Sequence, residues 1–248
     1  MITIKSRTEI EKMRQAGKIT GDALRLIEKH IKPGVSTAYL DKIAYDFLKS
    51  KGATPSFLHY NGFPASICAS VNDWVVHGIP NKSVILAEGD IISIDMGACV
   101  DGYHGDAART FAVGKISDEA KRLIEVTKQS FFEGIKYAVH GAKVGDISSA
   151  VQEYVEANGY SVVRDLVGHG IGKNLHEDPN VPNFGKKGKG PRLAAGMTLA
   201  IEPMVNAGGY EVCVLDDDWT VVTADGSLSA HYENTVLIKN GECEILTL

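Results

Sequence analysis

The chain has 248 residues, enough for one large domain or two small ones that pack together. Hydrophobic residues make up 44% and charged residues 23%, which excludes disordered and collagen-like architectures. The formal net charge of −5 argues against a DNA- or RNA-binding protein that relies on a basic surface. No apolar stretch approaches the ~18 residues of a membrane span, and the N-terminus has no secretory segment. We therefore expect a soluble, cytoplasmic protein with no membrane partner.

The four cysteines have no spacing typical of a metal site or a redox pair. None of them forms a CxxC pair. In a chain of this length we expect four reduced and mostly buried thiols, at Cys68, Cys99, Cys213 and Cys243.

Helical and strand patterns occur in the same order twice. Apolar residues recur at helical spacing over residues 8–30, and again from Ser36 or Thr37 until Gly52 ends the second helix. Strand patterns follow at 66–71, 90–99 and 103–113. Two more helices are predicted at 117–138 and 145–158, and further strands at 197–206, 219–224 and 230–239. This order predicts an α+β protein.

A fixed offset of 107 residues relates the two series. It places three glycines on three others: Gly34, Gly52 and Gly89 on Gly141, Gly159 and Gly196. It also places the strand 89–95 on 196–202 without a gap, and an acidic residue, Asp95 or Glu202, ends the apolar run in both copies. Because no linker-like stretch separates the copies, we expect a single domain over 1–248 with two similar halves, about 8–113 and 115–240.

Asp95 follows a strand that reads as buried, where a carboxylate is costly unless a cation meets it. Asp101-Gly102 is a strong signal for a two-residue hairpin turn. In that register Asp95 lies opposite Ala108, and Asp106 is its diagonal neighbour on the same face, roughly 7–8 Å away. Two solvated aspartates on a surface hairpin would be the ordinary interpretation. The apolar run before Asp95 and the matching Glu202 favour a shared buried site.

Three further residues extend this set of candidate ligands. Glu202 precedes Pro203 at a strand end, Glu233 begins another β run, and His169 lies in a glycine-rich segment unsuited to a helix. Four carboxylates and one imidazole suit divalent ions such as Mn²⁺, Fe²⁺, Co²⁺ or Zn²⁺. Because carboxylates can bridge, two ions ~3.5–4 Å apart would hold a water between them.

Five motifs then resemble, in order, those of the type I methionine aminopeptidases in their short bacterial form: residues 71–80, 102–106, 168–172, 175–177 and 200–203. The resemblance implies a pita-bread fold, with two pseudo-symmetric halves around a central antiparallel sheet. It also implies two divalent ions (Co, Mn, Fe, Zn or Ni), held by Asp95, Asp106, His169, Glu202 and Glu233. Relatives often have Glu-His-Thr where this chain has Glu233-Asn234-Thr235, so the surroundings of Glu233 differ while the ligand is present.

The same resemblance assigns roles to other positions. Glu202 would be both ligand and acid/base, with His77 near the scissile amide and His176 near the carbonyl oxygen. Without the motifs, each histidine would read as a loop or packing residue. The methionine pocket would be lined by Tyr60, Phe63, Cys68, Leu175 and Trp219. A monovalent-cation site would involve Asn72, the Trp74 backbone and Ser229. The remaining histidines are expected to be structural: His30, His59, His104, His140 and His231.

The implied activity is removal of the initiator methionine from nascent chains whose second residue is small. We expect a monomer, and the ribosome is a candidate partner. Prolidases and aminopeptidase P share the fold and ligands, but they carry an extra N-terminal domain for which this length leaves no room. A catalytically inactive pita-bread binding protein is the alternative outside enzymes. Such proteins lose metal ligands, whereas here all five positions are filled.

Overall fold

Four helices lie where the apolar patterns predict them in residues 2–248, the part of the chain that the computed structural model describes. They are α1 (Arg7–Glu28), α2 (Thr37–Ser50), α3 (Asp118–Ile135) and α4 (Val144–Ala157). Ser6 and Glu9 form a capping box at the start of α1, and the Ser36 side chain caps α2. None of these helices combines the length and apolar character needed to cross a membrane.

Short strands provide the rest of the regular structure. They are β1 (Thr54–Pro55), β2 (Ile67–Val71), β3 (Trp74–Val76), β4 (Ile91–Val100), β5 (Tyr103–Ala112), β6 (Ser161–Val162), β7 (Gly168–Gly170), β8 (Glu177–Val181), β9 (Thr198–Ile201), β10 (Met204–Asn206), β11 (Val212–Val214), β12 (Val221–Thr223), β13 (Ser229–His231), β14 (Asn234–Leu237) and β15 (Glu244–Ile245). Seven of these short strands are not among the predicted strands: β1, β3, β6, β7, β8, β11 and β15.

Two predicted strands are wrong as single strands. The segment 197–206 divides into β9 and β10 around Glu202-Pro203, and 230–239 divides around Tyr232-Glu233. Proline has no N–H for a ladder, and its carbonyl accepts instead from Tyr232 N at 3.1 Å. Glu233 N donates to Ala108 O at 2.9 Å, so the chain changes partner there. Both breaks fall on a glutamate of the predicted ligand set.

The sheets of the two halves meet at β5. In the first half, β1, β2 and β5 all pair with β4, and in the second the order is β15-β14-β9-β7-β8. Thr235 joins them, because its Oγ1 accepts from Asp106 N at 2.9 Å and donates to Asp106 O at 3.0 Å. All of these strand pairs are antiparallel. The remaining strands form two small sheets, β13-β10-β6 and β11-β12-β3.

The offset of 107 residues reappears in the backbone hydrogen bonds. Gly34 N donates to Leu86 O at 2.8 Å, and Gly141 N donates to Leu193 O at 2.9 Å. The three offset glycine pairs share positive φ angles, +86° and +93° in this first pair. The bridge between Ser36 and Ile85 likewise matches that between residues 143 and 192. The two halves therefore repeat the same loop geometry, as well as the same order of elements.

Helix α1 packs directly against the β4–β5 hairpin that carries Asp95 and Asp106. A Cβ on Gly105 would lie 2.6 Å from Gly17 N, so the missing side chain at Gly105 allows the hairpin backbone to touch the backbone of α1. Thr20 Oγ1 donates to Gly105 O at 3.0 Å and accepts from Ala98 N at 3.1 Å. The helix thus holds both strands of the hairpin in place.

The expectation for the cysteines is partly wrong. All four are free thiols, but only Cys68 is buried, and Cys213 is exposed. Cys213 belongs to β11, which pairs only with β12 at the edge of a small sheet. The low polarity of cysteine therefore did not decide its burial at this position.

Gly105→Ala should destabilise the protein, because the added methyl group would force α1 away from the hairpin. We expect the free energy of unfolding to fall by ~1–3 kcal/mol. The control is Gly241→Ala, where a Cβ meets nothing within 4 Å and φ is not positive. Thermal unfolding of both variants measures the effect, and equal melting temperatures would contradict the packing argument.

Candidate metal centre

The five predicted ligands come from five different segments and line one cavity of about 190 Å³. Asp95 lies in β4, Asp106 in β5 and His169 in β7, whereas Glu202 and Glu233 lie in the two strand breaks. The hairpin pairs Asp95 with Ala108 and turns at Asp101-Gly102, both with positive φ, as predicted. The strand breaks place the two glutamates beside the hairpin aspartates.

The donor atoms are close enough to share ions. One atom each from Asp106, His169 and Glu233 lie within 4.8 Å of one another. Glu202 Oε1 is 3.6 Å from His169 Nε2, and Asp106 Oδ2 is 4.0 Å from the same nitrogen. His169 Nδ1 lies 2.8 Å from Gly170 O, a distance at which it donates a hydrogen bond. The Nε2 lone pair therefore faces the carboxylates, as a metal ligand requires.

Burial makes the negative charge in this cavity costly. Burial, with repulsion from Asp95 and Glu202, raises the pKa of Asp106 well above its ordinary value. Burial and the neighbouring carboxylates raise the pKa of Glu202 and Glu233 in the same way. For Asp95, burial raises the pKa to about 7. Burial lowers the pKa of His169 to about 3, so its imidazole is neutral and can coordinate.

The cluster meets the requirements of a divalent-metal site. Three buried oxygens have no hydrogen-bond partner: Asp95 Oδ1, Asp106 Oδ1 and Glu233 Oε1. Among the described residues, the ion pairs to these carboxylates come from histidines, with no lysine or arginine. Buried carboxylates without a cationic partner are unstable unless a metal ion or protons neutralise them. A set rich in oxygen with one imidazole suits borderline and hard divalent ions.

Arg109 and Asn234 support the backbone at Glu233. Arg109 Nη1 donates to Glu233 O and to Ala108 O, the latter at 2.8 Å, and Nη2 donates to Asn234 Oδ1 at 2.6 Å. Thr247 Oγ1 donates to the same Asn234 oxygen at 2.9 Å. The amide thus accepts two hydrogen bonds next to the candidate ligand. This is the structural setting of the asparagine that replaces the histidine common in relatives.

The predicted pocket residues form the walls of the cavity. Tyr60, Phe63, Cys68, Leu175 and Trp219 all line it, together with Phe57 and Asn61, which sequence reasoning missed. The rings of Phe63 and Trp219 meet edge to face at 5.1 Å. Cys68 pairs with Asp95 across β2 and β4, and burial raises the pKa of its thiol, which keeps it uncharged. The walls are therefore aromatic and sulfur-bearing beside a charged floor.

His77 and His176 line the same cavity. His176 Nδ1 is 3.0 Å from the Tyr60 hydroxyl, and its ring lies 4.2 Å from that of His169. His77 has a positive φ of 59°, a conformation rare outside glycine and enriched at functional sites. Burial lowers the pKa of both imidazoles. Each is therefore neutral near pH 7 and able to donate or accept one hydrogen bond.

The residues of the predicted monovalent-cation site lie on neighbouring segments. Ser229 N donates to Asn72 O at 2.9 Å, and Ser229 Oγ donates to Asn206 Oδ1 at 2.9 Å. Trp74 belongs to β3, which pairs with β12. The cation itself stays a prediction.

His231, which was expected to be structural, lies beside one of the candidate ligands. Its Nε2 lies 3.7 Å from Glu202 Oε2, and the residue is 1% exposed. One feature of the sequence indicates this position: His231 lies two residues before Glu233 in a β-type sequence, and alternate residues of a strand share a face.

The chain is similar to known metallopeptidases over its whole length. The model of metallopeptidase family M24 matches residues 11–240. A methionine aminopeptidase of Clostridium acetobutylicum is 63% identical over 248 residues, covering 100% of this chain and 99% of the relative. The crystal structure of a methionine aminopeptidase from Thermotoga maritima has a TM-score of 0.98 at 46% identity, covering 100% and 99% of the two chains. A prolidase from Pyrococcus furiosus has a TM-score of 0.80 at 23% identity, covering 99% of this chain and 65% of that chain, and shares the fold.

The fold and the buried carboxylate cluster define a metallopeptidase of pita-bread architecture. The chain belongs to metallopeptidase family M24 and, within it, to the methionine aminopeptidases. The resemblance to the bacterial type I enzymes and the pita-bread fold are thereby confirmed. In this family, the buried Asp–His–Glu group fits divalent metal binding.

The raised pKa of Asp95 makes the stability of the metal-free protein depend on pH. Because the pKa of Asp95 is raised in the folded state, ionisation of this carboxyl lowers the stability as the pH rises from about 3.8, the ordinary pKa of an aspartate, through about 7. The asparagine of Asp95→Asn cannot ionise, so after chelator treatment this variant should have a higher melting temperature than the wild type. The difference in melting temperature should be at least ~2 °C larger at pH 8 than at pH 5. Calorimetry at both pH values measures this. The exposed Asp46→Asn is the control, and an advantage that does not grow with pH would contradict the assignment.

Proposed function

We propose that this protein removes the N-terminal methionine from nascent chains whose second residue is small, in a metal-dependent reaction. The observation that carries the proposal is the joining of four carboxylates and one imidazole at the floor of a cavity with aromatic walls. The full-length similarity to methionine aminopeptidases supports the substrate. The metal would be held by Asp95, Asp106, His169, Glu202 and Glu233.

When bound, divalent ions in such a site lower the pKa of water and polarise the scissile carbonyl. The protein supplies the proton transfers: Glu202 takes a proton from the attacking water and delivers it to the leaving amine. Its burial supports this role, because burial raises the pKa of its carboxyl and makes a bound proton less costly.

The two cavity histidines hold the substrate. His77 is assigned to the scissile amide and His176 to the carbonyl oxygen, where a neutral imidazole donates one hydrogen bond. Tyr60, whose hydroxyl is 3.0 Å from His176 Nδ1, keeps that ring in one orientation. The methionine side chain is flexible and polarisable, so walls such as Phe63, Cys68 and Trp219 suit it.

The finer features of the proposal rest on the family resemblance. We assign two ions among Co, Mn, Fe, Zn and Ni, and a monovalent cation at Asn72, the Trp74 backbone and Ser229. We treat residues 1–248 as one catalytic domain, with halves at about 8–113 and 115–240. The protein would act as a monomer in the cytoplasm, with the ribosome as a candidate partner.

The primary test is hydrolysis of Met-Ala-Gly-Met before and after chelation, followed by titration with each divalent metal in turn. We expect release of methionine to stop on chelation and to return with metal. An Ala-Pro peptide should be untouched. Cleavage of Ala-Pro would indicate a prolidase, and inactivity with every metal would indicate a binding protein.

Replacing His77 or His176 with Ala should lower kcat by at least ~10-fold while metal stoichiometry stays unchanged, because neither belongs to the ligand set. Steady-state kinetics and metal analysis of the purified variants test this. The control is His30→Ala, whose ring packs against Tyr39 outside the cavity. Loss of metal in either cavity variant would mean that the histidines are wrongly assigned.

Peptides Met-X-Gly-Met that differ only at X should be cleaved when X is small, such as Gly, Ala or Ser, and poorly when X is Leu or Lys. The scissile bond must lie over the ligand cluster while His77 and His176 contact it, which leaves little room for X. A displacement of ~1 Å can cost about 100-fold in rate. Values of kcat/KM across the series decide the matter, and equal cleavage of Met-Leu and Met-Ala peptides would contradict the crowding argument.

A further inference from the structure

Glu202 lies between two imidazoles, one beside each oxygen of its carboxylate. Oε1 is 3.6 Å from His169 Nε2, and Oε2 is 3.7 Å from His231 Nε2. Because His169 Nδ1 donates to Gly170 O, the His169 Nε2 carries a lone pair and cannot donate to Glu202. The two histidines therefore serve different purposes.

His231 is buried and lacks partners for its ring. Neither ring nitrogen has a hydrogen bond, although the residue is 1% exposed. Its backbone is held on both sides, since His231 N donates to Thr110 Oγ1 at 2.8 Å and His231 O accepts from the same hydroxyl at 3.0 Å. Buried ring nitrogens are rarely left unpaired, so this imidazole requires a partner.

Glu202 is the polar group placed to be that partner. An imidazole carries at least one N–H in either protonation state, so His231 can donate to Glu202 Oε2. The gap to Oε2 exceeds an ordinary N–H···O distance by ~0.8 Å, which a small side-chain rotation closes. His231 is not among the residues that line the cavity, so it approaches Glu202 from behind.

We propose that His231 is a positioning residue for the proton-transferring carboxylate: its Nε2–H donates to Glu202 Oε2 and fixes that side chain in one orientation. This inference rests on the proposed function of Glu202. Without His231, the carboxylate would rotate and spend less time in the productive orientation.

Three variants of His231 separate a donor from a packing residue. In His231→Gln the amide nitrogen reaches about as far as Nε2, in His231→Asn it does not, and His231→Leu fills the space without a donor. We expect His231→Asn and His231→Leu to lower kcat on Met-Ala-Gly-Met by ~10–100-fold with KM nearly unchanged. The kcat of His231→Gln should stay within ~3-fold of the wild-type value. Metal stoichiometry should be the same in all variants, and His30→Gln is the control.

A second readout does not depend on turnover. In protein labelled with ¹⁵N-histidine, metal-free or zinc-loaded, an Nε2–H proton protected from solvent exchange should be present and should be absent in His231→Gln. Its resonance should shift in Glu202→Gln, because the acceptor loses its charge. This measurement shows whether His231 donates a hydrogen bond to Glu202 even if the wild-type protein releases no methionine. Failure of the proposed function is therefore distinguishable from failure of this inference.

Other results would overturn the inference. Wild-type kcat in the Asn and Leu variants would show that the contact does not matter. Equal loss in Gln and Leu would show that His231 is a packing residue. Reduced metal stoichiometry in Gln would make it a ligand, and a resonance unchanged in Glu202→Gln would remove the hydrogen bond. Should the Leu variant fail to fold, the comparison of Gln with Asn still decides the question.

Discussion

Mutual repulsion among four carboxylates that line one cavity is the constraint on which the rest of this structure depends. Asp95, Asp106, Glu202 and Glu233 share one cavity, and among the described residues no lysine or arginine forms an ion pair with them. Protons or divalent cations must balance most of their charge instead. Such a cluster holds its shape only if the surrounding backbone resists spreading. The rigid parts of the fold are arranged around that requirement.

Two irregularities in the sheets satisfy this requirement for a rigid backbone. Regular strands would point successive side chains to opposite faces, whereas the chain breaks at Glu202-Pro203 and at Tyr232-Glu233 and turns each glutamate inward. Arg109 and Thr235 supply hydrogen bonds where the ladders stop. Helix α1, packed onto Gly105, holds the hairpin from the other side. The cost of the irregular backbone is thus offset by contacts just outside the cavity.

Local features of the fold were predictable from sequence. Asp101-Gly102 forms a turn that depends only on adjacent residues, and Ser6 and Ser36 each cap the helix that follows them. The glycines related by the offset of 107 residues all have positive φ angles, which glycine adopts readily. The register that brings Asp95 and Asp106 to one face follows from that turn. The candidate ligands followed from acidic residues at the ends of apolar strands and from one histidine between glycines, whereas the pocket residues came from a resemblance between motifs. The short strands β7 and β8 could not be predicted, because each exists only through its partner.

The sequence by itself determined the four helices, the hairpin and the repeat of two halves, since these depend on residues close together in the chain. Only the tertiary structure decided where the long predicted strands break, because Pro203 and Glu233 find their partners at Tyr232 and Ala108. It also decided that His231 lies behind Glu202 and that Asn234 accepts from Arg109. Those contacts join residues 29 to 125 positions apart, and no local pattern records which side chains such a fold brings together.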